Sequence, residues 1–469
     1  MTHDLLIIGG GPAGISAALT AASLGLRTAL LDEQPVPGGQ IYRNVGAVDP
    51  AVARLLGPDY TRGRVLVDRL AAAGVESLTN AAVWDVTRDL AVTALRDGVA
   101  LQLRAPQVID ASGALERPSP MPGWTLPGVL NAGAAQIALK TAASIPSGPV
   151  ALAGGGPLLL LVACQLLEAG AQVAALVETS PAGNRAAALK HLPAALAYPA
   201  PLLKGLRMMR RLRTAGVPWF SGASDVAVEG GERAGALRFR AAGREHRIAA
   251  SVVLLHHGVV PNTQLTRLLR VEHDWNEAQL AWQPRIDAWG ETSLGGLRVA
   301  GDGAAIDGAL AAQASGALAA LGAAHALGRL SAAERDSHAA PLRNALRQQR
   351  RVRPFLDALY RPPAWINTPA GDTIVCRCEE VTAGRVREMA RLGCQGPNQT
   401  KFFSRCGMGL CQGRLCGITV TQLLASELGR PPQEIGAYHV RPPLKPVPLH
   451  ALASLAAPAT AEHITETAK

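Results

Sequence analysis

Asp4-Leu-Leu-Ile-Ile-Gly-Gly-Gly-Pro-Ala-Gly14 decides the fold. The apolar run up to Ile8 breaks into a glycine turn, and residues Ala13 to Leu24 follow with the small-residue pattern of a helix. A second apolar run, Thr28 to Leu31, ends at Asp32 and Glu33. Strand, glycines, helix, strand and acid together form a dinucleotide-binding fingerprint in its required context. Gly9 permits the tight turn, Gly11 lets the backbone approach a pyrophosphate, and Gly14 lets the helix pack on the strand. The helix N-terminus then presents unpaired amides and a positive dipole end to the phosphates. Gly9, Gly11, Pro12, Ala13 and Gly14 are the expected cofactor turn. Asp32 is the expected ribose partner, with Glu33 the alternative if the register slips by one.

The pattern returns at Val150 to Ala153, which runs into Gly154-Gly155-Gly156-Pro157-Leu158-Leu159. Leu159 occupies the third-glycine position, where a side chain alters how closely helix and strand pack. Glu178 closes the next strand. A second Rossmann-like domain is expected, with Gly154, Gly156 and Glu178 as its site. That site holds NAD(P), an adenine nucleotide or nothing.

At 469 residues, the chain is too long for one hydrophobic core. Its 48% hydrophobic and 17% charged residues describe a packed protein, not a disordered one. The net charge of +10 draws visibly on Lys204 to Arg213 and Arg343 to Arg353. No aromatic residues interleave with these arginines as stacking on bases would need, so nucleic acid is excluded as the main partner. The longest uncharged stretch, Ala142 to Leu167, is cut by Gly154 to Pro157 and makes no membrane span. No export signal is expected, which points to the cytoplasm or the inner face of the membrane.

Of seven cysteines, Cys164 lies alone and reads as packing; the other six crowd between Cys376 and Cys416. A Cys376-Arg-Cys378 pair and a glycine-rich loop carrying Cys406, Cys411 and Cys416 are brought together by a helix from about Thr382 to Leu392. Four soft ligands there mean zinc or an iron–sulfur cluster. No Cys-x-x-Cys pair precedes Cys376, so dithiol chemistry is excluded.

Other strings sharpen the reading. Leu297 to Ala300 runs into Gly301-Asp302-Gly303 and a small-residue helix from about Gly308 to Leu321. Gly38-Gly39-Gln40, Ala111-Ser112-Gly113 and His257-Gly258-Val259-Val260-Pro261-Asn262 complete the set. Residues 4 to 325 resemble the glutathione and thioredoxin reductase family. The resemblance implies an α/β fold with two dinucleotide-binding domains and FAD in the first. Gly39 and Gln40 would line the flavin side, Gly113 the exit from the FAD domain, and Gly301 and Asp302 the ribityl and pyrophosphate end.

The cysteine region resembles the small helical [2Fe–2S] domain named after bacterioferritin-associated ferredoxin. Cys376, Cys378, Cys406 and Cys411 are the expected ligands, with Cys416 the alternative to Cys411; Cys394 and Cys416 are otherwise read as packing. Over the full length, Pro122-Gly-Trp-Thr-Leu-Pro-Gly128 and Arg405-Cys-Gly-Met-Gly-Leu-Cys-Gln-Gly-Arg-Leu-Cys416 resemble the alpha subunits of bacterial opine oxidases and their relatives in hydrogen cyanide synthase and proline or hydroxyproline dehydrogenases. The resemblance implies an electron-transferring subunit of a heteromeric dehydrogenase acting on a C–N bond of an amino acid, imino acid or opine. Its partner would be an amine-oxidising flavoprotein resembling D-amino-acid oxidases. Some members would add a third, small subunit, or hold FMN at an interface. A quinone or cytochrome would accept the electrons. No catalytic acid–base residue is expected, and His256 and His257 read as structural or solvent-facing. A self-contained NAD(P)H reductase and a zinc-bearing scaffold are the rivals.

The expected layout is an FAD domain at 1–145 and 266–330, a second nucleotide domain at 146–265, a helical linker at 331–370, a [2Fe–2S] domain at 371–440 and a tail at 441–469 that is extended over a neighbour or disordered.

Overall fold

The computed structural model describes residues 3–456. Its first sheet is five-stranded and parallel, in the order Leu297–Val299, Gln107–Asp110, Leu5–Ile8, Thr28–Leu31, Glu76–Leu78. Leu5–Ile8 and Thr28–Leu31 are buried on both faces, as a parallel sheet covered by helices requires. An antiparallel sheet of Ala81–Val86, Ala91–Arg96 and Val99–Arg104 flanks it.

The helix Pro12–Ser23 crosses Ala309–Ala326 over small residues. A Cβ built on Gly316 would lie 2.0 Å from the Ala13 carbonyl oxygen, and one on Gly14 would lie 1.8 Å from that of Gly9. Both helices therefore sit at distances that only glycine allows at these positions. The second of them runs past the Leu321 end read from the sequence and stays largely buried.

A two-stranded antiparallel ribbon, Ala114–Glu116 against Val259–Pro261, carries the chain out of the first domain and back. Beyond it lies a second parallel five-stranded sheet, in the order Trp219–Phe220, Val173–Glu178, Val150–Gly154, Val252–His256, Val129–Asn131. The edge strand Val129–Asn131 lies within the segment assigned from sequence to the FAD domain, yet it pairs here. Leu159 is 1% exposed and joins this domain's core beside Ala132 and Ala135. The leucine at the third-glycine position thus serves as a core residue.

In the cysteine region the hairpin Ile374–Cys376 and Val381–Thr382 leads into Ala383–Arg391, Pro397–Ser404 and Gly417–Leu428. Thr382 caps the first of these helices, its hydroxyl accepting from the Arg385 amide at 3.3 Å. Trp124 Nε1 donates to the Ile374 carbonyl at 2.6 Å, tying this region to the second domain. The tail runs back over the first domain. Leu444 donates its amide to the Trp84 carbonyl at 2.6 Å, Lys445 pairs with Glu33, and Leu449–Ala456 is helical. The final residues, from 457, lie outside those described.

Gly316→Ala will lower stability by about 1–3 kcal/mol, because the added methyl must push the two helices apart. Gly205→Ala, inside the helix Ala200–Thr214 with nothing within 4 Å of the new Cβ, will raise it by about 0.5–1 kcal/mol. Urea unfolding of the two variants checks both signs.

Candidate functional site

Segments far apart in sequence converge at the C-terminal end of the first sheet. Gly9 turns with φ +106°, and Gly38 and Gly39 with φ +144° and +60°. A Cβ on Gly39 would lie 2.7 Å from the Gly11 Cα, so the two glycine loops face each other bare. A Cβ on Gly301 would lie 2.8 Å from that of Ala13, and one on Gly303 would lie 3.4 Å from the Gly113 carbonyl oxygen. The structure therefore brings Gly9, Gly11, Pro12, Ala13, Gly14, Gly39, Gln40, Gly113, Gly301 and Asp302 around one cradle. Its exposed backbone amides suit a dinucleotide pyrophosphate.

The acids of this cradle hold its loops in shape. Asp32 Oδ2 accepts the Gly10 amide at 2.8 Å and its Oδ1 accepts the Gln34 amide at 2.9 Å. Burial pushes the Asp32 pKa up. Asp302 Oδ1 accepts the amides of Asp307 and Gly308 at 3.1 Å each, fixing the approach to the helix Ala309–Ala326. Its pKa is also raised, chiefly by burial. Glu33 faces Lys445 instead.

Two groups escaped the sequence reading. Lys140, 3% exposed, donates from Nζ to the Gln40 and Ile41 carbonyls at 2.9 Å each and to Gln136 Oε1 at 3.0 Å. It clamps the Gly38–Gln40 loop onto the second domain, and burial lowers its pKa to about 7. Asp110, fully buried, accepts the Ser112 amide at 3.0 Å, while among the described residues its Oδ2 has no partner at hydrogen-bond distance. Burial pushes its pKa up to about 6. A lysine in a helix and an aspartate ending a strand carry no sequence signal of burial.

The second glycine loop is equally tight. Gly154 and Gly156 have φ +138° and +118°, and the Gly155 amide donates to the His256 carbonyl at 2.9 Å. Glu178 Oε2 accepts the Ser221 hydroxyl at 3.0 Å, with Arg185 3.7 Å away. His256 and His257 are buried, so the solvent-facing alternative read for them does not hold. His257 meets Ser119 Oγ through Nδ1 at 2.7 Å and Thr179 Oγ1 through Nε2 at 3.0 Å. Burial, with His256 and Arg117 nearby, lowers its pKa to about 3 and holds it neutral.

In the cysteine region the sulfurs of Cys376, Cys406 and Cys416 all lie within 4.8 Å of one another, and all three residues are buried. Cys416, read from sequence as packing or as the alternative ligand, is a member of this trio. Cys411 faces the exposed Cys378 instead, outside the buried trio. The cause is local: the turn through Gly413 and Gly417 wraps around the Tyr438 ring and turns the start of the helix Gly417–Leu428 inward. Thiol hydrogen bonds from Cys406 and Cys416 pull the Cys376 pKa down to about 2, while those of the two donors are pushed up. Three buried sulfurs this close are an arrangement that a metal centre would hold as thiolate ligands. The group is compatible with an iron–sulfur site.

The comparisons with known proteins agree with this geometry. Residues 3–317 match the pyridine nucleotide-disulphide oxidoreductase family, and residues 370–456 match the sarcosine oxidase A3 domain. The chain is thus an oxidoreductase with a flavoprotein fold. The opine oxidase alpha-type (A) subunit of Rhizobium meliloti is 45% identical over 97% of this chain and 88% of its own length. Hydrogen cyanide synthase subunit HcnB of Pseudomonas aeruginosa is 33% identical over 96% and 98%. The fold resembles that of L-proline dehydrogenase from P. horikoshii, with a TM-score of 0.69 at 20% identity, covering 96% of this chain and 79% of that one. The chain belongs to the family of opine oxidase A subunits. Among the described residues, no helix is long and apolar enough to cross a membrane.

Asp110 gives a pH test. A carboxyl at about 6 in the folded chain and 3.8 unfolded binds more protons when folded, so its contribution to stability is full below about pH 4 and is lost as pH rises towards 6. Two pK units correspond to about 3 kcal/mol. Stability of the wild type relative to Asp110→Asn will fall by about that much between pH 4 and pH 7, read by urea unfolding at each pH.

Proposed function

We propose that this chain is the electron-transferring subunit of a heteromeric dehydrogenase that oxidises a C–N bond of an amino acid, imino acid or opine. The observation that carries this reading is the cysteine group in the same chain as the glycine cradle, in a protein similar over nearly its whole length to the R. meliloti opine oxidase protein. The relatives named as subunits of opine oxidase and hydrogen cyanide synthase support a multi-subunit enzyme. The amine-oxidising step would fall to a partner flavoprotein resembling D-amino-acid oxidases. Some assemblies would include a third, small subunit, or an interfacial FMN. The acceptor would be a quinone or cytochrome, met in the cytoplasm or at the inner face of the membrane.

FAD, when bound, takes up electrons in pairs and releases them singly, as an iron–sulfur cluster requires. The chain's own residues hold and orient. The Gly9–Gly14 turn would bind the pyrophosphate, Asp302 the ribityl end, and Lys140 would fix the Gly38–Gln40 loop on the flavin side. Cys376, Cys378, Cys406 and Cys416 would hold a [2Fe–2S] cluster, with Cys411 the reserve sulfur beside Cys378. No proton-transfer residue is assigned, because a relay between flavin and cluster needs none from this chain. The intact second glycine turn, with Glu178 held by Ser221, favours one rival: a self-contained NAD(P)H reductase.

An anaerobic titration of the purified chain with NADH and then NADPH separates the two. Neither will bleach the flavin, whereas dithionite will bleach it and raise a reduced-cluster EPR signal. Rapid bleaching by NADH would make the chain a pyridine-nucleotide reductase. Iron analysis assigns the ligands: Cys376→Ala and Cys416→Ala will lose the iron, whereas Cys394→Ala and Cys411→Ala will keep it.

A further inference from the structure

The second glycine loop lacks a cation of its own. From Gly154 through the end of the helix Pro157–Glu168 there is no lysine or arginine, although phosphates bound at such loops commonly meet one. The structure places a buried imidazole there instead. His256 closes the strand Val252–His256 at 3% exposure. Its Nδ1 lies 2.6 Å from Glu116 Oε1, and Glu116 Oε2 accepts the Gly133 amide at 2.9 Å, so the carboxylate is pinned at both oxygens. The other edge of the ring borders the loop, since a Cβ on Gly156 would lie 3.4 Å from both Cδ2 and Nε2.

The neighbouring histidine shows what a purely structural imidazole looks like here. Both ring nitrogens of His257 meet neutral hydroxyls, and the ring is held uncharged. His256 has a carboxylate on one nitrogen and turns the other towards the place where a phosphate would rest. The carboxylate fixes the ring through Nδ1, and an anion arriving at Nε2 would favour a proton on that nitrogen. On the loop's other side Glu178 accepts from Ser221 with Arg185 3.7 Å away, and the Tyr360 ring lies against Gly155. Arg117 turns its guanidinium to the His257, Leu280 and Gln279 carbonyls, and His257 is neutral.

We propose that His256, backed by Glu116, is the cationic donor to the phosphate group of a nucleotide at the second glycine loop. This rests on reading that loop as a phosphate cradle. Binding then takes up one proton from solvent at His256 Nε2, and no covalent bond changes. Affinity falls as pH rises through the imidazole range, by at most about tenfold per pH unit. The ligand class is a nucleotide di- or triphosphate or a dinucleotide pyrophosphate, which share this chemistry.

Titration calorimetry of the purified full chain tests it, with ADP, ATP, NAD+ and NADP+ as separate probes. Each is measured between pH about 6 and about 9, in buffers of different ionisation enthalpy so that proton uptake is read directly. For whichever probe binds, the wild type will take up protons on binding, with the uptake peaking inside this range above the ordinary imidazole pKa. His256→Gln, which keeps a neutral donor in the site, will bind about tenfold more weakly at the low end and lose that uptake. Glu116→Gln will shrink the uptake while leaving the imidazole in place. Titration of the ligand's own terminal phosphate is common to wild type and variants and cancels in the comparison. Equal proton uptake in wild type and His256→Gln, or an affinity that does not change with pH, overturns the role of His256 while leaving the cradle standing. Binding by none of the four probes overturns the cradle reading itself.

Discussion

Backbone meeting backbone without a Cβ between them is the constraint on which the molecule depends. The helix Pro12–Ser23 can lie against Gly9 only because Gly14 has no side chain, and Ala309–Ala326 can cross it only because Gly316 has none. Those two contacts bring Gly301 against Ala13 and Gly113 beside Gly303, and so assemble one end of the first sheet from four separate stretches of chain. Gly39 facing Gly11 repeats the device at the rim. A cradle built this way presents amides instead of side chains, which is the surface an anionic pyrophosphate needs.

Around this bare backbone, buried charges act as braces. Asp32 accepts one amide from the first glycine turn and one from its own loop, Asp302 accepts two from its own loop, and Lys140 donates to two carbonyls across a domain boundary. Buried ions cost heavily unless their hydrogen-bonding capacity is filled, so these groups tolerate little movement of the loops they hold. Lys140 has a particular consequence. It makes the Gly38–Gln40 loop of the first domain depend on a helix packed with the second, so the geometry of the first glycine cradle is tied to the other domain.

The cysteine region applies a different logic. Its small core, with Val386, Val420, Leu423 and Leu424, is modest, and three of its buried residues are the clustered cysteines themselves. The fold draws Cys376, Cys406 and Cys416 together, with their sulfurs within 4.8 Å of one another. A metal centre would complete a core already shaped around sulfur, which couples ligation to the folding of the region.

The sequence by itself determined the two Rossmann-like domains, the glycine turns and the crowding of cysteines. These are local patterns: a strand, a turn of fixed glycines and a helix are read within about 30 residues. It also determined the helix after Thr382, because a capping threonine and an amphipathic run are adjacent in the chain. Only the tertiary structure decided that Val129–Asn131 joins the second sheet, that Lys445 reaches Glu33, and that Cys416 rather than Cys411 completes the buried sulfur trio. It alone placed Glu116 on His256, two residues from opposite sides of the second domain's sequence. Each of these depends on which side of a sheet or turn a distant side chain reaches, and spacing along the chain does not encode that. Burial does the rest, setting Asp110 to about 6 and Lys140 to about 7, because the environment that shifts a charge is assembled only when the domains close on one another.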